Sequence, residues 1–294
     1  MSGPVTSCKL HVFLAANAPV GVILRRGPSK RVQLIKWDLD TDTFLPGQWF
    51  HGRIYEDRCD LSPDGKLFIY FALKMNINSP YYPEYKGSWT AISKPPYLTA
   101  LALWPNGSTW GGGGFFLSEK KLWINHYGKY DSKPHPKHKP IGLHISTKQW
   151  SIDDPSPVLT SRLSRNGWVN LRESSDQCHH RELARVAENG QHDQIEIFHK
   201  QSLCGKITLV MRRTNRQSQY YYDYLLSSVS GRFFVLPGAQ WADWDHRGRL
   251  LFTREGCIFS CQPDDQGDYR NHLLADFTNA RPESISTPIW AMDW

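Results

Sequence analysis

The stretch from Trp241 to Cys261, WADWDHRGRLLFTREGCIFSC, constrains the fold more than any other part of the chain. It reads as a short strand ending in Asp-Trp-Asp, a tight turn closing through Arg247 and Gly248, and an apolar strand at Leu250, Leu251 and Phe252. A second strand follows Arg254, Glu255 and Gly256. The same grammar recurs at Cys59 to Phe71, CDLSPDGKLFIYF, and more loosely at Ala100 to Phe116. In Ser62-Pro63-Asp64-Gly65 the proline presets φ and the glycine supplies a positive φ. The strand after it, Leu67 to Leu73, is almost unbroken in its apolar character, which predicts burial on both faces. The chain is therefore a series of repeated strand–turn–strand units.

The turn glycines Gly21, Gly65, Gly107, Gly167, Gly205 and Gly248 are separated by 44, 42, 60, 38 and 43 residues. Six units of about four strands fit these marks, with five as the alternative count. The long interval contains a Pro/Lys-rich insertion at about residues 127–140, where the prolines lack the donor a sheet needs. With 12 Trp, 13 Tyr and 13 Phe beside 22 Gly and 19 Pro, the composition suits short strands and tight turns rather than long helices. Trp290-Ala-Met-Asp-Trp294 repeats Trp241-Ala-Asp-Trp244 with one residue inserted, and the hairpin from Leu10 lacks such an inner strand. Pairing of the two is expected to close a ring within one domain spanning residues 1–294.

These units resemble those of β-propellers, in the style of the WD40-like repeats of Tol–Pal-type translocation proteins, where a strand ending S-P-D-G-K precedes an apolar strand. Ser62-Pro63-Asp64-Gly65-Lys66 carries that phrase outright, and Asp243 to Phe252 follows it more loosely. The resemblance implies an all-β propeller and a tendency to serve as an interaction platform, and it transfers no catalytic residue.

Several function classes find no support. There is no run of 18 apolar residues, so no membrane span is expected. The opening residues make a poor signal peptide, and the six cysteines are scattered rather than set out as a disulfide framework, which favours the cytoplasm. The formal charge of +7 mildly favours acidic partners. No nucleophile elbow, P-loop, zincin or dinucleotide motif is present, and no cofactor is expected.

Candidate residues fall into groups, each with a plain structural alternative. Asp60, Asp243 and Asp293 stand at comparable places in three units and could line a central channel, where converging carboxylates would hold a hard cation for a hydrolase or lyase; otherwise each caps its own turn. Cys178, His179 and His180 form the densest metal-capable cluster, but alternation in a strand leaves only two of them on one side, and no metal site is assigned. Cys257 and Cys261 are about 13 Å apart along a strand, too far for a disulfide. Arg212, Arg213 and Arg216 precede Tyr220, Tyr221, Tyr222 and Tyr224, a pattern compatible with nucleic acid, although alternation sends Tyr221 to the opposite face from the other three. Trp89, Trp104, Trp110, Trp123 and Trp168 could stack on sugars or fill the core. The loop Asn76 to Lys86 and the insertion combine Tyr, Pro and Lys outside the repeat. Tyr81, Tyr82, Tyr85, Lys129, Lys133, Lys137 and His138 are accordingly the expected contacts of a non-enzymatic scaffold with a protein partner. The metal-dependent enzyme and the carbohydrate- or nucleic-acid-binding module are the alternatives, and catalytic residues and oligomeric state stay unassigned.

Overall fold

The structure, a computed structural model, describes residues 8–27, 30–126, 133–147, 154–171, 194–217, 219–229, 231–263 and 269–294. Its strands form five sheets in chain order, a β-propeller of five blades. Blade one is Lys9–Leu14, Val20–Arg26, Arg31–Asp38 and Thr43–His51, each antiparallel to the next. In blade two the inner strand is broken by a 3-10 turn, so that Arg53–Ile54 and Asp60–Leu61 both pair with Phe68–Leu73; Ser88–Ser93 and Ala102–Pro105 follow. Blade three is Gly114–Ser118, Lys121–Ile124 and His144–Ser146, the last added in parallel. Blade four is Val169–Asn170, Gln194–Gln201, Ile207–Arg216, Gln219–Ser228 and Phe233–Leu236, and blade five Trp241–Trp244, Leu250–Arg254, Cys257–Pro263 and Tyr269–Asp276.

The expected count of six gives way to five because not every turn glycine marks the same place. Gly65 and Gly248 lie in the first turn of blades two and five and Gly205 in the turn between the second and third strands of blade four, all at φ near +70° (71°, 75° and 68°). Gly107, however, follows the outer strand Ala102–Pro105 instead of an inner one, and Gly21 sits within a strand of blade one. The segment from Leu101 therefore completes the second sheet, and the intervals do not count blades.

These three turns share one hydrogen-bonding scheme. Ser62 N–H donates to Leu67 O (2.8 Å), Gly65 N–H to Ser62 O (2.8 Å), and the Ser62 hydroxyl accepts from Leu67 N–H (2.9 Å). Ser202 repeats all three bonds with Ile207 and Gly205, at 2.8, 2.8 and 3.2 Å. Asp245 substitutes a carboxylate, accepting from Arg247 and Arg249 N–H at 2.9 and 2.8 Å. A short oxygen-bearing side chain opens each turn because the backbone donors inside it have no ladder partner.

The chain divides into two compact units, residues 1–162 with 277–294, and residues 163–276. In the first, the apolar run predicted to be buried on both faces is so: Phe68, Tyr70 and Ala72 pack with Phe13, Val22, Leu24 and Leu34 of blade one, whereas Ile69 packs with Trp104, Phe116, Leu122 and Ile124. Alternation along one strand thus serves two neighbours at once. A nine-residue helix, Pro157–Arg165, follows blade three, and its Arg162 guanidinium donates to the carbonyls of Glu56 (3.1 Å) and Cys59 and approaches His11 Nε2 at 3.4 Å. The second unit holds blades four and five. There Gly248 leaves room for Leu203 of the preceding turn, which a Cβ would meet at 3.2 Å.

Trp290–Trp294 joins no sheet, and closure by pairing with the N-terminal hairpin is not observed. Ile289–Ala291 is a 3-10 turn, and the first sheet contains only its own four strands. The tail is held by side chains instead. Gln48 Nε2 donates to Ile285 O (3.0 Å) and Thr287 Oγ1 (2.7 Å), Lys94 Nζ donates to the carbonyls of Trp290 (2.9 Å) and Asp293 (2.6 Å), and the Trp294 indole donates to Lys139 O (3.1 Å). Pro288 precedes the turn at φ −70°, and the likeness to Trp241–Trp244 is one of letters alone. The metal-capable residues Cys178, His179 and His180, to which no metal site is assigned, lie outside the described residues.

Candidate interaction surface

The two segments singled out by composition meet at one end of blade two. Strand Ser88–Ser93 pairs on one side with Phe68–Leu73 and on the other with Ala102–Pro105. The loop after Leu73 and the loop after Pro105 therefore leave from the same end, tied by Lys74 N–H to Gly87 O and Asn106 N–H to Ser88 O, both 2.8 Å. The first loop contains a one-turn helix, Tyr82–Tyr85, with Pro83 in its first turn, ended by Lys86 in the left-handed region. Gly87 follows at φ 73°, where a Cβ would meet the Met75 sulfur at 2.6 Å. In the second loop the Asn106 amide donates to the carbonyls of Ser108 (2.9 Å) and Trp110 (3.0 Å), and Arg58 donates to those of Thr109 (2.8 Å) and Gly111 (2.5 Å).

The described part of the insertion is not a detached arm. His135 N–H donates to Leu103 O (2.7 Å) and His138 O accepts from Leu103 N–H (3.1 Å), so the segment docks on the edge of the outer strand. Pro134 and Pro136 flank the pairing residue, and their missing donors are not needed. Glu84 then bridges the two segments, 3.0 Å from His135 Nε2 and 3.2 Å from Lys137 Nζ. The Lys137 hydrogen bond, with His135 adding to it, holds the Glu84 carboxyl below the usual range. The rings of Tyr85 and His135 stack at 5.1 Å, and those of His135 and His138 lie 5.4 Å apart. Burial first, then the neighbouring His135, pushes the His138 imidazole below its ordinary value.

Of the expected contacts, Tyr81 is exposed, Tyr82 and Tyr85 are half-buried, Lys133 and Lys137 are exposed and His138 is half-buried. Lys129 lies outside the described residues. The outward surface is more apolar than the Tyr and Lys content suggested, because Trp110 (81 %), Ile77 (74 %) and Met75 (55 %) join Tyr81 (66 %) in exposure. Trp110 lacked a periodic signal; its position between Pro-Asn-Gly and a run of four glycines is what removes it from the core. Trp104, Trp123 and Trp168 are buried and Trp89 is half-buried, so these five residues make no exposed sugar-stacking patch.

The three candidate channel carboxylates occupy different settings. Asp60, on the inner strand of blade two, is buried and its Oδ2 accepts from Phe116 N–H of blade three at 2.7 Å. Asp243, on the inner strand of blade five, accepts from Lys200 Nζ of blade four (2.6 Å) and from the Trp168 indole (3.2 Å). These two tie adjacent blades within their own units. Asp293 is exposed in the tail and has no inner strand. Among the described residues no group of three or more His, Cys, Asp or Glu is gathered to hold a metal ion.

The second basic and aromatic group is used within its own sheet. Arg213 is fully buried, 2.7 Å from Glu196 and beneath the Tyr220 ring at 3.5 Å, and Arg212 pairs with Asp223 at 2.7 Å. Tyr224 is buried and Tyr221 exposed, as alternation required. No protein-family model and no curated protein matches the chain.

Proposed function

We propose that the protein is a non-enzymatic, cytoplasmic propeller scaffold that binds a protein partner through the surface built from residues 75–86, 106–112 and 133–140. The observation that carries this reading is the convergence on one blade of two segments lying outside the repeat, together with four apolar side chains left exposed there. The resemblance of Ser62–Lys66 to WD40-like, Tol–Pal-type turns points the same way, since such propellers are interaction platforms. A rigid base with exposed aromatic anchors is the arrangement from which a few residues carry most binding energy.

The test is affinity capture with chemical cross-linking, comparing the intact chain with a Tyr81→Ala, Trp110→Ala double variant. Both positions are solvent-facing, so stability should change by less than about 0.5 kcal/mol. Loss of the captured partner at least tenfold is expected. Undiminished capture of every partner by the variant overturns the assignment of this surface.

A further inference from the structure

The surface has a chemistry that narrows what it would hold. Its three segments carry Lys86, Lys133, Lys137 and Lys139, with Lys74 immediately before the first, all exposed, against Glu84 as their one acid, which Lys137 and His135 already engage. The Lys86 side chain lies against the loop carrying the exposed Trp110, 3.3 Å from where a Cβ of Gly107 would stand, and Lys137 pairs with Glu84 of the segment that carries the exposed Ile77, Tyr81 and Met75. Excess positive charge beside uncovered aliphatic and aromatic groups suits a ligand with the opposite charge and its own apolar anchors.

Resting on the scaffold reading above, we propose that the occupant is an extended acidic segment of a protein, with Asp or Glu residues flanking one or two large apolar side chains. Carboxylates would face the lysines at Lys133, Lys137 and Lys139, and the apolar anchor would cover Trp110 and Ile77. Two features favour protein over nucleic acid. Every cation offered is a lysine, which lacks the planar fork that engages phosphate at two points, and the nearby Arg58 is committed to the carbonyls of Thr109 and Gly111. Half of the exposed apolar set, Ile77 and Met75, is aliphatic and offers no ring on which a base could stack.

The test uses fluorescently labelled probes and anisotropy on the intact chain at low and physiological salt. The probes are an acidic peptide containing a Leu-Phe pair, the same peptide with both anchors changed to Ser, a neutral peptide keeping the anchors, and oligo-dT. The anchored acidic peptide is expected to bind about tenfold tighter than either peptide control, a difference of about 1.4 kcal/mol. Trp110→Ala should weaken it at both salt concentrations, whereas Lys133→Glu with Lys139→Glu should weaken it chiefly at low salt. Equal binding of the neutral peptide, or tighter binding of oligo-dT with the same dependence on these residues, overturns the inference. A captured partner that depends on Trp110 but is indifferent to the lysine reversals would sink the acidic occupant and leave the scaffold reading standing. A partner indifferent to every variant would sink both.

Discussion

The two units solve the same problem, holding an inner strand against its neighbour, with different chemistry. In residues 163–276 the tie is ionic: the Lys200 ammonium meets Asp243 at 2.6 Å, with side-chain exposures of 19 % and 9 %. In residues 1–162 the corresponding carboxylate, Asp60, takes a backbone donor, Phe116 N–H, and Arg162 binds the carbonyls of Glu56 and Cys59 beside His11. One arrangement depends on two opposite charges remaining matched. The other places a cation among neutral acceptors, one of which can itself become charged. Equivalent positions in a repeat therefore need not respond alike to substitution or to pH.

The strongest way to break this comparison is Asp243→Ala, which strands Lys200 and removes the acceptor of the Trp168 indole. A loss of about 3 kcal/mol is expected in denaturant unfolding, and a Lys200→Met, Asp243→Ala cycle should show coupling above about 1 kcal/mol. A loss under about 1 kcal/mol would mean that the pair is no tie at all.

Acid should find the first unit before the second. Burial, then the Arg162 guanidinium, holds His11 well below its ordinary value of 6.5, so the folded protein binds fewer protons than the unfolded chain once pH falls beneath that value. Stability contributed by neutral His11 is present above pH 6.5 and is lost progressively as pH falls below it. Because His11 keeps part of its surface accessible, the slope should stay under the one-proton limit of about 1.4 kcal/mol per pH unit. His11→Gln should flatten the melting-temperature profile over this window, and an unchanged profile would remove His11 from the account.

The smallest expected effect is Asp60→Asn, since an amide oxygen can still accept from Phe116 N–H. A cost of about 1 kcal/mol is expected by denaturant melts, well below that of Asp243→Ala. Equal costs at the two positions would erase the distinction between the units.

Much of this architecture could be read from residue order. The apolar run Leu67 to Leu73, the Ser-Pro-Asp-Gly turn and the Asp-Trp-Asp strand each specify local geometry through proline, glycine and burial on both faces, and all three appear in the fold. Blade number was less legible, because Gly107 and Gly65 look alike as letters although one ends an outer strand and the other an inner one. The tail misled for the same reason: Trp290–Trp294 copies a strand sequence, but Pro288 and the side-chain bonds of Gln48 and Lys94 give it another use. Composition found the Tyr81 and Lys137 segments. Their meeting through Glu84 and His135 depends on the outer edge at Leu103, a tertiary relation that no spacing encodes. Trp110 could not be told apart from the core tryptophans, because its exposure follows from the glycines packed against Phe71, where a Cβ on Gly112 would come within 2.3 Å of the ring.

The parallel strand His144–Ser146 gives the third blade a different folding route from its neighbours. A hairpin zips from its turn, each new pair adding little sequence separation, but a parallel partner must first be carried back along the full length of the strand it joins. Leu122 meets Ile145 only after the intervening chain has travelled by way of the edge at Leu103. That sheet is consequently completed by closing the loop between Lys121 and His144 rather than by a tight turn, and the chain that leads to its outer strand is docked on blade two.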